Sequence, residues 1–134
     1  MTISRSEVHI QQSDPFVALD KNQFARLTTY RKTGVGVPTP VWFAHADGTI
    51  YVVTPAKTGK LKRIRNNGRA TLAACKANGQ VIGENRECVA RVLSEEEQAV
   101  ANQTLARKYG LRYRIFTGFQ KMRGVQSSFI AITI

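Results

Sequence analysis

At 134 residues the chain has room for one folded domain, and at that length folding removes roughly two thirds of the surface from water. Hydrophobic residues make up 43% of it, but no stretch approaches the roughly 20 consecutive apolar residues of a bilayer span. Twenty Lys and Arg against nine Asp and Glu give a net charge of +11, which selects for anionic partners: nucleic acid, acidic lipid, or a phosphorylated and carboxylated small molecule.

The charge is unevenly placed. Between Gly48 and Gly83 there is no acidic residue, while Lys57, Lys60, Lys62, Arg63, Arg65, Arg69 and Lys76 fall there. After Glu97 the chain again has no acid, and Arg107, Lys108, Arg112, Arg114, Lys121 and Arg123 follow. The first 14 residues lack the apolar stretch of a secretory signal. Cys75 and Cys88 lie in apolar surroundings, where reduced, buried thiols are expected. The expectation is a cytoplasmic protein of one domain over residues 1–134, with 1–13 a mobile tail.

In chain order, Ser13-Asp14-Pro15 offers an N-cap and a first-turn proline, predicting a short helix over 16–21. Residues 24–30 carry strand formers, and 31–36 read as a turn. Val41-Trp42-Phe43-Ala44 and Thr49-Ile50-Tyr51-Val52-Val53 flank Asp47-Gly48, a pair suited to a tight hairpin. From Thr58, Leu61 and Ile64 stand three apart among cations, predicting a short amphipathic helix with Gly68 as a left-handed C-cap. Residues 69–76 and 80–93 resume strand character around Asn78-Gly79. Ser94 and Glu97 form a capping box for a helix running to Tyr109 and ending at Gly110. In 111–123, Tyr113, Phe116, Phe119 and Met122 recur every three residues and predict one apolar stripe with charges beside it. Residues 129–134 close the chain as a strand. Six mostly antiparallel strands with short helices predict a mainly β protein, and closure into a β-barrel removes exposed edges.

The chemistry concentrates in Val53, Thr54, Lys57, Thr58, Gly59 and Lys60, between a strand and a helix. Hydroxyls, ammonium groups and a helix N-terminus together suit a phosphate, although the spacing is not that of a P-loop. A solvated basic turn has the same residues. No Ser-His-Asp, Cys-His or paired-carboxylate constellation stands out, and neither His9 nor His45 has metal-ligand spacing.

The runs Leu27-Thr28-Thr29-Tyr30-Arg31-Lys32, Pro38-Thr39-Pro40-Val41-Trp42-Phe43, Asp47-Gly48-Thr49-Ile50-Tyr51-Val52-Val53-Thr54, Lys57-Thr58-Gly59-Lys60 and Asn66-Asn67-Gly68-Arg69-Ala70 together resemble the pyridoxamine 5′-phosphate oxidase-like superfamily. They are most similar to its branch that uses the deazaflavin coenzyme F420. The resemblance implies a split β-barrel of the FMN-binding kind, a homodimer with two cofactor sites at the subunit interface. It implies that Pro40, Val41, Trp42 and Phe43 lie along the ring system and that the segment 54–60 holds the phosphate, with Lys60 and Thr58 as first ligands and Thr54 and Lys57 next. One departure is Gly59, where the FMN-using oxidases commonly carry arginine before the matching lysine.

Coenzyme F420 carries a phosphodiester and several carboxylates, more negative charge over a longer path than FMN, and the basic run after Lys60 is suited to that tail. The expected function is therefore hydride transfer between F420 and a small electron-poor organic substrate, with FMN-dependent oxidation as the alternative. The cofactor carries the reactive atom, so no catalytic side chain is assigned; solvent or Tyr113 is the candidate proton source. A cofactor-carrying or haem-binding relative shares the same expected fold. A nucleic-acid module explains the charge but lacks a recognisable binding motif. Membrane and nucleic acid are accordingly not expected as partners, and no metal is expected.

Overall fold

The computed structural model describes residues 16–134. The expected N-cap at Ser13-Asp14-Pro15 and the expected tail over 1–13 lie outside the described residues. Six strands form a closed barrel: β1 (Phe24–Tyr30), β2 (Gly36–Ala46), β3 (Thr49–Pro55), β4 (Arg69–Cys75), β5 (Arg86–Val92) and β6 (Ser127–Thr133). Their order around the barrel is β1-β2-β3-β6-β5-β4, every neighbouring pair antiparallel. Three helices are inserted: α1 (Gly59–Asn66), α2 (Gln98–Tyr109) and α3 (Leu111–Met122).

Alternation of small or branched apolar residues with polar ones builds the barrel, because successive strand side chains face opposite sides. Ala25 and Leu27, Val41 and Phe43, Ile50 and Val52, Ala70 and Leu72, Cys88 and Ala90, and Ile130 and Ile132 fill the interior, with Leu61 and Ile64 of α1 closing one end. A second cluster lies outside the barrel wall. There Ala44, Val53, Phe129 and Ala131 pack under Ala101, Leu105 and Tyr109 of α2 and Tyr113 of α3. Asp47 and Gly48 adopt φ of 48° and 78°, the positive values a two-residue hairpin of this hand needs. Ser94 and Glu97 exchange both bonds of the capping box, and the turn Glu95–Glu97 leads into α2.

Four local expectations are corrected. The helix foreseen over 16–21 is a single 3-10 turn, Val17–Leu19. Gly68 does not end α1 in the left-handed region: the C-cap is Asn67, in an extended conformation. Gly68 instead meets β5, where an added Cβ would lie 2.9 Å from the carbonyl oxygen of Ala90, whose N–H donates to the Gly68 carbonyl at 2.7 Å. The strand foreseen over 80–93 begins only at Arg86. Between the bridge Cys75↔Val81 and the pair Leu72↔Arg86 the chain takes five steps on one side against three on the other, so two residues bulge out of the ladder around Gly83.

The fourth correction concerns the three-residue spacing in α3. Tyr113, Phe116, Phe119 and Met122 are 2%, 39%, 58% and 86% exposed. At about 100° per residue a spacing of three falls about 60° short of a full turn. The four side chains therefore rotate from the core out to solvent instead of forming one stripe.

Candidate functional site

The barrel is closed but split. β2 pairs with β3 only from Phe43↔Val52 to Ala46↔Thr49. From Gly36 to Trp42 β2 pairs with β1 alone, and from Val53 to Pro55 β3 pairs with β6 alone. Tyr109 fixes which groups face this gap. Its hydroxyl accepts the N–H of Phe43 at 2.9 Å and lies 2.7 Å from the carbonyl oxygens of both Phe43 and Gln23, which share its single proton. Phe43 thus points its main chain toward the β1 side. By the two-residue alternation of a strand, Pro38, Pro40 and Trp42 point theirs toward the gap. The edge offers three carbonyls and only the Trp42 N–H, because the two prolines have none.

On the outer side of that edge Trp42 stacks on Tyr109, with centroids 4.7 Å apart, and meets Phe116 at 5.0 Å. Phe116 is the residue by which α3 joins the site. The side chains of Val41 and Phe43 are buried in the barrel, so Val41 reaches the gap with neither side chain nor polar main-chain groups, and Phe43 spends its main-chain groups on Tyr109.

The phosphate-type residues gather where β3 passes into α1. Thr54 is buried at the end of β3 and accepts a hydrogen bond from the Lys60 ammonium at 3.2 Å. Burial lowers the Lys60 pKa, and neighbouring Arg63 lowers it further. The Nε–H of Arg63 donates to the buried hydroxyl of Thr29 at 2.7 Å. Desolvation and then the charge of Arg31 shift Arg63 downward as well. Thr58, the N-cap of α1, makes no capping bond, and its Oγ1 is buried without a partner among the described residues. A buried hydroxyl left in this state is costly unless a ligand or water completes it.

Val53 faces α2 in the second cluster and contributes no polar side chain. Lys57 is exposed and borders a cavity of about 640 Å³ with Pro55, Ala56, Gly124, Val125 and Gln126. A larger open groove continues from it past Asn102, Arg114, Thr117 and Lys121. Lys62 and Arg65 lie on the exposed face of α1, away from Lys60 and Arg63. Tyr113 is committed elsewhere: its hydroxyl donates to Oδ1 of Asn102 at 2.6 Å, and burial pushes its pKa up to about 12.

Sequence reasoning thus located Thr54, Thr58, Gly59 and Lys60 together but missed Thr29, Arg31 and Arg63. Arg63 stands three residues after Lys60, which places the two on one helix face, and that spacing was the available signal. Thr29 and Arg31 reach the cluster through tertiary contact alone.

No described helix is long and apolar enough to cross a membrane. Among solved structures the chain resembles the haem storage protein HutZ of Vibrio cholerae, with a TM-score of 0.64 at 8% identity over 84% of this chain and 82% of that one. A FAD-binding protein of Mesorhizobium loti gives 0.60 at 14% identity over 87% and 83%. An F420-H2 dependent reductase, FDR-A, gives 0.56 at 14% over 82% and 93%. At these identities the likeness is one of fold. None of the curated proteins matches the sequence. The sequence profile of pyridoxamine 5′-phosphate oxidase matches residues 14–134, and the chain belongs to that family.

Proposed function

We propose that the protein is a reductase that holds coenzyme F420 in the split of its barrel and transfers hydride between it and a small electron-poor organic substrate. The observation that carries this reading is the convergence of Lys60, Arg63 and Arg31 with the orphaned Thr58 hydroxyl beside an unpaired strand edge. Three cations with no carboxylate interposed among the described residues are stabilised by an anion, and a strand edge of carbonyls and one N–H is stabilised by the polar rim of a flat heterocycle.

When bound, the deazaflavin supplies the hydride at its C5. The chain's part is to bind, orient and exclude water. Lys60, Thr58 and the first-turn N–H groups of α1 hold the phosphate. The edge at Pro40 and Trp42 sets the plane of the ring, and Trp42 with Phe116 walls its outer side. Tyr113 is bound to Asn102, so solvent in the groove along Arg114 and Lys121 is the proton source.

F420 is favoured over FMN because, beyond the charge a single phosphate needs, Arg31 and its neighbour Lys32 add cations beside Arg63 on which a carboxylate tail would rest, whereas Lys62 and Arg65 of the run first expected to take it face away on the exposed side of α1. The F420-dependent reductase among the similar structures supports the choice, and the FAD-binding one makes flavin the competitor to test. Titration of F420 and FMN into the protein at low and high salt is expected to show tighter F420 binding, with the margin shrinking as salt screens the tail. Tighter FMN binding at both salts defeats the F420 assignment. The same reading includes a homodimer of 14.9 kDa chains, because a ring seated in a split at the barrel's edge needs a second chain to cover it. Sedimentation at low micromolar concentration is expected to give the two-chain mass, and a cofactor-binding single chain refutes it.

A further inference from the structure

Position 59 is where the chain departs from the pattern of the FMN-using oxidases, and the structure shows what stands in the space. A Cβ added to Gly59 would lie 2.7 Å from Nη1 of Arg63 and 3.6 Å from its Cζ. The guanidinium of Arg63 therefore rests directly on the glycine backbone. Gly59 is absent from the positive-φ glycines, so its conformation is open to any residue and only the close approach calls for glycine. Arg63 follows one helical turn later, and side chains on a helix lean back toward its N-terminus. The bond from Nε to the buried Thr29 hydroxyl fixes the guanidinium in that place.

We propose that Arg63 is the guanidinium clamp of the phosphate site, placed over the N-terminus of α1 by the glycine at 59 and the hydroxyl of Thr29. This inference rests on the phosphate reading given under Proposed function. Thr29 uses Nε, which leaves the two Nη groups of Arg63 to take an oxyanion in a forked bond. Lys60, on the same face of α1, adds a point charge from the side of Thr54. Gly59 thus exchanges an arginine at the first helical residue for one reaching back from the next turn, and its role is that of a positioning residue.

The clamp predicts a non-additive pattern that a purely structural glycine does not. The atom that Gly59→Ala displaces is the far end of a flexible side chain, and alanine favours a helix over glycine. The variant is therefore expected to melt at or above the wild-type temperature while binding F420 and FMN roughly three- to tenfold more weakly. Arg63→Ala is expected to lose roughly tenfold or more. Arg63→Lys, which keeps the charge without the fork, should recover only part of this. In the Arg63→Ala background Gly59→Ala should cost nothing further.

Calorimetric titration of both cofactors into these variants and into Lys60→Ala, with thermal melts as fold controls, gives the decision. Wild-type affinity in Gly59→Ala overturns the clamp, as does a Gly59→Ala loss that persists without Arg63. If Lys60→Ala binds weakly while the Arg63 variants bind as wild type, the clamp falls and the phosphate site stands. If neither position matters, the phosphate reading fails and the clamp with it.

Discussion

The helices α1 and α2 meet the same barrel in opposite ways. α2 lays Ala101, Leu105 and Tyr109 against the outer wall formed by β2, β3 and β6, and its polar bonds hold the main chain of Phe43 within β2 and of Gln23 just before β1. α1 buries only Leu61 and Ile64, and the side it turns to the split carries Lys60 and Arg63 next to Arg31 and an orphaned hydroxyl. One helix adds buried apolar area, which stabilises the fold at roughly 25 cal/mol per Å². The other gathers like charges, which destabilise it until an anion arrives. On the proposed reading, stability and binding thereby belong to separate insertions of one barrel.

The comparison is sharpest in the effects of single substitutions. Leu105 is fully buried in the second cluster, and Leu105→Ala should cost about 2–5 kcal/mol in denaturant unfolding. A cost below about 1 kcal/mol would show that α2 is not the stabilising insertion. Tyr109→Phe keeps the ring on Trp42 but leaves the Phe43 N–H without its acceptor. About 1–3 kcal/mol is expected, read in the same unfolding curves.

Lys108 gives the comparison a pH dependence. Its ammonium donates to the Asn22 carbonyl at 2.7 Å and lies 3.5 Å from the centroid of the Phe43 ring. Burial lowers its pKa to about 8, from 10.5 in a solvated lysine, with Asp20 opposing the shift. Between those values the unfolded chain binds more protons than the folded one, so stability rises with pH across that window. Tyr109 and Tyr113, both raised to about 12 by burial, act in the opposite sense above pH 10, where stability falls as pH rises. Melting temperatures of Lys108→Met measured from pH 7 to 10 should lose the rising limb. An unchanged limb would assign it to another group.

The smallest stability effect and a large binding effect coincide at Lys60. Lys60→Ala relieves a crowded charge but leaves the buried Thr54 hydroxyl without its donor, so the two effects oppose and unfolding free energy should change by no more than about 1 kcal/mol in either direction. Cofactor affinity should fall by roughly tenfold to a hundredfold, the worth of a charge-assisted hydrogen bond. Lys62→Ala, on the solvent face, should change neither by a comparable amount. Loss of several kcal/mol in Lys60→Ala would erase the division between the two helices.

What could be read from the sequence was whatever local chemistry decides. The strands β1, β3 and β6 follow from alternation, the hairpin from Asp47-Gly48, and the start of α2 from Ser94 and Glu97. The segment carrying Thr54, Thr58 and Lys60 was visible because its residues are consecutive. The split came only through the family resemblance and not from the residues themselves, since it depends on where the β2–β3 register stops and the β3–β6 register continues. Nor was the company of Thr29 and Arg31 visible, 34 residues from Arg63 in the first case. In α3, spacing alone suggested a stripe, and only the placement of Tyr113 in the core shows which way the others turn.

Trp42 is the only tryptophan in the chain, and it sits on the outer side of the split, between Tyr109 and Phe116. The molecule therefore carries an optical probe at the split, with no second indole to blur its emission. A flat chromophore settling on the strand edge quenches that emission by contact and by energy transfer. A ligand held elsewhere on the basic surface dims Trp42 less, because it acts through space alone and without contact. Equilibrium and stopped-flow measurements of occupancy can then be made on the unlabelled protein, in light it emits itself.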